Sequence, residues 1–139
     1  MKKITYVAAL SCLLALGGCN EKTEAPAANA ATTSVSADIQ LPLGDKLTLN
    51  GKMTKDVTKP IDNGSLKTYE VQSESAPDAT KANVDESFRS LGYVASEQSN
   101  AASAATKVHY HKNNSPTIGV LISDKTPASV SIYWQEIKK

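Results

Sequence analysis

Between residues 107 and 137, apolar side chains return at every second position in three short runs. Val108 and Tyr110 open the series, Ile118, Val120 and Ile122 continue it, and Val130, Ile132 and Trp134 close it. A period of two is that of a β-strand, where successive side chains point to opposite faces. Asn113-Asn114-Ser115-Pro116 and the stretch 124–128 separate the runs, and both are rich in turn formers. Slipping any strand by one residue would turn its whole apolar set to solvent, so three agreeing neighbours constrain the fold more than any one of them. The pattern predicts an antiparallel meander over 107–112, 117–123 and 129–137, with one face covered and the other open to water.

The cover is predicted at 77–91, the one stretch with a helical period. Val84, Phe88 and Leu91 form its apolar stripe, with Lys81 at the solvent end and Asp85, Glu86 and Arg89 on the outer face. Ser75 is placed to cap the helix, and Pro77 and Asp78 suit its first turn. Gly92 suits a left-handed residue just past its end, with Tyr93 folding back onto the last turn. Phe88 is the sole phenylalanine and is expected at the centre of the core.

Upstream, Ile39, Leu41 and Leu43 alternate around Pro42, which suits an edge strand. Leu47, Leu49 and Met53 predict one strand over 47–55. Asp62-Asn63-Gly64 is a turn signal between arms at 57–61 and 66–73. In the second arm Tyr69 and Val71 face one way, and Leu66, Thr68 and Glu70 the other. After the helix, 93–97 reads as a strand and 98–106 as a loop. The expected class is α+β: one helix packed on a mostly antiparallel sheet of about 5–6 strands, in the order β-β-α-β-β-β-β, with 39–43 as an additional edge strand. The domain is expected over 39–139.

The front of the chain has a different character. Lys2 and Lys3 precede an apolar run at 4–16, which is long enough for a signal peptide and short of the ~20 residues of a spanning helix. Leu16-Gly17-Gly18-Cys19 follows. This motif resembles the lipobox of bacterial lipoproteins, and the resemblance is confined to about the first 20 residues. It implies a signal peptide at 1–18, cleavage before Cys19, a thioether-linked diacylglycerol on Cys19 and N-acylation of the new terminus. Several acyl chains hold a protein to a membrane far more tightly than one, at ~0.8 kcal/mol per buried CH₂. Asn20 is not the Asp that marks inner-membrane retention, so the resemblance implies the outer membrane with the domain facing the periplasm. Residues 19–38 would then be a lipidated cysteine and a polar, alanine-rich tether, too poor in apolar side chains to fold alone. A flexible coil of that length reaches about 25 Å.

Without Lys2 and Lys3, the chain's 15 basic side chains fall to 13 against 14 acidic. No strong net field remains, so no nucleic-acid partner is expected. Cys12 would leave with the signal and Cys19 would be acylated, so the domain is expected to rest on burial without a disulfide.

Few groups suggest chemistry. His109 and His111 share a face of one strand, which is the spacing two metal-ligating imidazoles need, but Lys107 shares that face and no acid or cysteine stands at ligand spacing. No metal and no cofactor are expected. No serine sits in a Gly-x-Ser-x-Gly elbow and no glycine-rich loop is placed to cradle phosphate, so an enzyme is not expected. The open face of the meander would carry His109, His111, Leu121 and Tyr133, a modest aromatic and apolar patch suited to a protein partner or to self-association. The expected function is that of an outer-membrane-anchored, non-enzymatic accessory or inhibitor module that binds an envelope protein. The alternative is a small-ligand or sensing module with a pocket between helix and sheet, near Phe88, Tyr110 and Trp134.

Overall fold

A computed structural model describes residues 35–98 and 104–138. The lipobox-like motif with Cys19, the tether up to residue 34 and loop residues 99–103 lie outside the described residues. Strands β1 (Ser36–Gln40) and β2 (Lys46–Asn50) form a hairpin. Strands β3 (Lys52–Ile61), β4 (Gly64–Gln72), β5 (Val94–Gln98), β6 (Ala105–His111), β7 (Ile118–Ser123) and β8 (Ser129–Ile137) form one antiparallel sheet in the order β3-β4-β8-β7-β6-β5. Helix α1 (Pro77–Ser90) joins β4 to β5. The class is α+β, with strands dominant. No helix among the described residues is long and apolar enough to cross a membrane.

The meander forms as the alternation requires. Val108, Tyr110, Ile118, Val120, Ile122, Val130, Ile132 and Trp134 are all buried on one face, and each such side chain contributes about 1.5–3 kcal/mol by leaving water. Tyr69 and Val71 of β4 extend that face.

Its cover has two parts, where the sequence predicted one. Residues 47–55 are not a single strand. Gly51, at φ +143°, breaks the run, and a Cβ there would stand 2.5 Å from the Gln72 carbonyl oxygen. Before that break the chain belongs to the hairpin; after it, to the sheet. Leu47 and Leu49 therefore join Ile39 and Leu41 in a core shared with Val84 and Phe88 of α1. Four strands precede the helix, where the expected order had two and an additional edge strand. The first begins at Ser36 and buries Ala37, so the fold includes residues before 39. Leu43 does not continue the alternation. It stands in a 3-10 turn at Pro42–Gly44 with φ +69° and is exposed. Lys112 ties the hairpin to the sheet through Asp45, at 2.6 Å.

The ends of α1 are fixed differently from each other. Ser75 is not its cap: Ala76 holds that position without a side-chain bond, and Pro77 follows. Instead the buried Ser73 hydroxyl accepts hydrogen bonds from the Ser75 amide (3.1 Å) and from Thr80 Oγ1 (3.0 Å), binding the helix start to the end of β4. At the other end Gly92 takes φ +83°. The Gly92 amide donates to the Arg89 carbonyl and the Tyr93 amide to the Phe88 carbonyl, and the Tyr93 ring meets Phe88 edge-on at 5.5 Å. This is a Schellman motif with its apolar contact.

Asp85 departs from its expected place on the outer face. Tyr110 stacks under Phe88 with ring centroids 4.0 Å apart, and its hydroxyl emerges at the helix edge and donates to Asp85. Lys81 bridges Asp85 (2.8 Å) and Glu97 of β5 (2.6 Å). Burial pushes the Asp85 carboxyl up, but the hydrogen bonds from Lys81 and Tyr110 outweigh it and hold the group below its ordinary range. A depressed folded-state value stabilises the fold above the unfolded carboxylate's pKa of ~3.9, and that contribution disappears as pH falls through the lower folded value. Asp85→Asn is therefore expected to melt below the parent at neutral pH and to close the gap between pH 4 and pH 2. Circular-dichroism melts across that range measure it, and a constant gap would refute it.

Candidate functional site

The second face of the sheet carries no other described element. Its centre is a row of directly opposed residues across all six strands: Val57, Thr68, Tyr133, Gly119, His109 and Ser96. Opposed residues in antiparallel strands share a face and touch their neighbours in the row. Gly119 is the critical member. A Cβ built there would fall 2.3 Å from Tyr133 Cζ and 2.6 Å from its hydroxyl oxygen. The Tyr133 ring therefore does not stand off the sheet but lies along the row, over the bare backbone of β7. One side of the ring rests on Gly119, and the residue is half-buried. An interior glycine marks such a close approach.

Around this ring runs a groove of about 570 Å³, lined by Leu66, His109, Pro116, Thr117, Gly119, Tyr133, Gln135 and Ile137, among others. Two of the four residues expected on this surface, His109 and Tyr133, lie in the groove. The other two lie beside it. Leu121 is half-buried in the next row, between Lys107 and Ser131. His111 is exposed, holds Thr117 Oγ1 3.1 Å from its Nδ1, and lines a separate shallow depression with Gly92, Val94, Lys112 and Asn113. The sequence reading missed Leu66, Pro116 and Ile137 as groove walls. Leu66 and Ile137 had a signal, since each falls on the outward parity of its strand; Ile137 follows Tyr133 on β8 itself, whereas Leu66 reaches the groove only because β4 pairs with β8.

Burial first, then the charge of Lys107 and the neighbouring His111, holds His109 below the ordinary imidazole value. The two imidazole rings are 6.5 Å apart. Glu70, on the same face, is taken by Lys55 at 2.8 Å. Among the described residues, no three His, Cys, Asp or Glu side chains gather closely enough to hold a metal ion. The groove can desolvate an apolar side chain against Tyr133, Leu66 and Ile137 and offer hydrogen bonds from His109, Thr117 and Gln135.

Between helix and sheet Phe88 stacks on Tyr110, and on the same sheet face Tyr69 stacks on Trp134 at 5.6 Å. A cavity of about 100 Å³ lies at the start of α1, among Asn50, Ser73, Thr80, Asn83 and the aliphatic side chains of Leu49, Val71, Val84 and Val130. That is room for a few waters, below the ~300 Å³ at which ligand pockets begin. No family model matches the chain, and no curated protein or solved structure matches it.

Proposed function

We propose that this protein is a lipid-anchored, non-enzymatic module that holds an envelope protein at the outer membrane through the open face of its six-stranded sheet. The observation that carries this reading is the Tyr133 ring laid over Gly119 in an apolar groove on an uncovered sheet face. A rigid ring buries area at low entropic cost, and tyrosine is enriched among residues that dominate interface energies. Leu16-Gly17-Gly18-Cys19 supports the anchor, with acyl chains on Cys19 and the domain facing the periplasm. An accessory or inhibitory subunit of a larger envelope assembly fits both features. A ligand pocket between helix and sheet has less support, because Phe88 and Tyr110 fill that space.

Photocrosslinking in the native envelope tests the proposal. A photoreactive residue at Leu121 or Thr68 is expected to form protein adducts, and one at Glu86 on the exposed helix is not. Tyr133→Ala is expected to weaken the captured interaction at least tenfold, the loss typical of a central aromatic anchor, with the fold intact by circular dichroism. Equal adducts from Glu86, or normal binding by Tyr133→Ala, would sink the sheet-face reading. The anchor is tested separately: Cys19→Ser should release the protein from membranes, and mass spectrometry of the parent should find acyl chains on Cys19.

A further inference from the structure

The chain is nearly neutral, with 15 basic and 14 acidic side chains, but the sheet sorts its charges by face. On β3, Lys52, Lys55 and Lys59 stand opposite Gln72, Glu70 and Leu66, all on the open side. On β6, Lys107 stands opposite Leu121, also on that side. Among the described strands of this sheet, Glu70 is the one carboxylate on the open face, and Lys55 neutralises it. The other strand carboxylates turn the other way: Asp56 toward Lys67, Glu97 toward Lys81 and Glu136 toward the indole of Trp134. Lys52, Lys59 and Lys107 have no carboxylate within ion-pair reach among the described residues.

Lys59, opposite the groove residue Leu66, and Lys107, opposite Leu121 in the row beside Tyr133, stand on either side of the Tyr133 row; Lys52, opposite Gln72, lies farther along the same face. Lys52 and Lys59 lie on the edge strand β3, and Lys107 lies four strand spacings away, roughly 19 Å at ~4.8 Å per spacing. That is the length of about six extended residues. We infer that the segment docking on this face is acidic, an apolar side chain seated beside Tyr133 with carboxylates on either side meeting Lys52, Lys59 and Lys107. The inference rests on the reading that this face holds a protein. It disfavours a second copy of this chain as occupant, since two such faces would set lysine against lysine.

The same arrangement makes docking sensitive to pH. His109 faces Lys107 and His111 on its own strand, Ser96 on β5, Gly119 on β7 and Tyr133 on β8. No carboxylate stands among them to favour its charged form. An acidic segment supplies that missing charge, so docking favours proton uptake by His109, and by linkage affinity rises as pH falls.

Fluorescence anisotropy on the full chain in detergent tests this. The probe is a labelled nonapeptide with a Leu-Phe-Leu centre flanked by three glutamates on each side; its controls carry glutamine or lysine flanks. The glutamate peptide is expected to bind at least tenfold tighter than either control. The preference should vanish in the triple variant Lys52→Gln, Lys59→Gln, Lys107→Gln, and all binding should be lost in Tyr133→Ala. Affinity should rise severalfold from pH 7.5 to 5.5, and His109→Gln should flatten that rise. If the glutamine or lysine peptide binds as tightly and Tyr133→Ala still abolishes it, the acidic partner is overturned while docking on the sheet face stands. Silence from every peptide also overturns the acidic partner, and the crosslinks from Leu121 and Thr68 then decide the docking reading alone. Binding to phosphatidylglycerol vesicles with the peptides silent would replace the protein by a lipid surface and overturn the inference.

Discussion

Phe88→Ala is expected to lower the stability of the domain by about 3–5 kcal/mol, the cost of truncating a fully buried phenylalanine. Phe88 has no exposed surface. It stacks on Tyr110 and receives the edge of Tyr93, so two ring contacts disappear with it, each worth ~0.5–1.5 kcal/mol beyond its buried area. The cavity opens where α1 meets β6, between the rings of Tyr110 and Tyr93. Tyr110 also loses the support that aims its hydroxyl at Asp85. Small domains are stable by only ~5–15 kcal/mol, so the variant should melt at least about 12 °C lower. Urea titration followed by the fluorescence of Trp134 measures the loss. A cost under 1 kcal/mol would mean that Phe88 is not the keystone of the core.

Gly64→Ala is expected to cost about 2–4 kcal/mol, for a reason unrelated to hydrophobic packing. Gly64 opens β4 at φ +156°, paired with Ile137, and a Cβ there would lie 1.9 Å from the Glu136 carbonyl oxygen and 3.0 Å from the Ile137 Cα. Both obstacles are backbone, so no side chain can swing aside, and β4 or β8 must move. Gly44→Ala provides the comparison. Its φ of +86° is also positive, but nothing lies within 4 Å of the added Cβ, so only the backbone strain of roughly 1 kcal/mol applies. Thermal melts of the two variants should rank Gly64→Ala well below Gly44→Ala. Equal melting points would show that the close approach to β8 does not matter.

Much of the fold was legible because it rests on periodicity. The buried residues of β6, β7 and β8 and the stripe Val84, Phe88 repeat at the periods their elements impose. What stayed hidden depends on pairs distant in sequence. Gly51 looks like one weak position within an alternating run until Gln72 is placed against it. Ala37 carries too little apolar surface to mark a strand, yet its burial begins one. Asp85 follows a core residue in the chain and reads as solvated until Tyr110 reaches it from 25 positions away. Of the site, the side chains on the open face followed from parity alone. The groove did not, because Leu66 comes beside Tyr133 only through the pairing of β4 with β8. The sorting of charge escaped for a similar reason: a sum over the chain gives no sign that Lys52, Lys59 and Lys107 share one face.

The seat of Tyr133 on Gly119 also limits how this protein can diverge. Any side chain at 119 would collide with the ring, so the two positions cannot drift independently. A lineage that keeps the flat tyrosine must keep the glycine, although glycine is a poor strand former and weakens β7. A lineage that loses the tyrosine loses the reason for the glycine, and a β-branched residue there becomes an advantage. Across diverged copies of this gene, positions 119 and 133 should therefore change together.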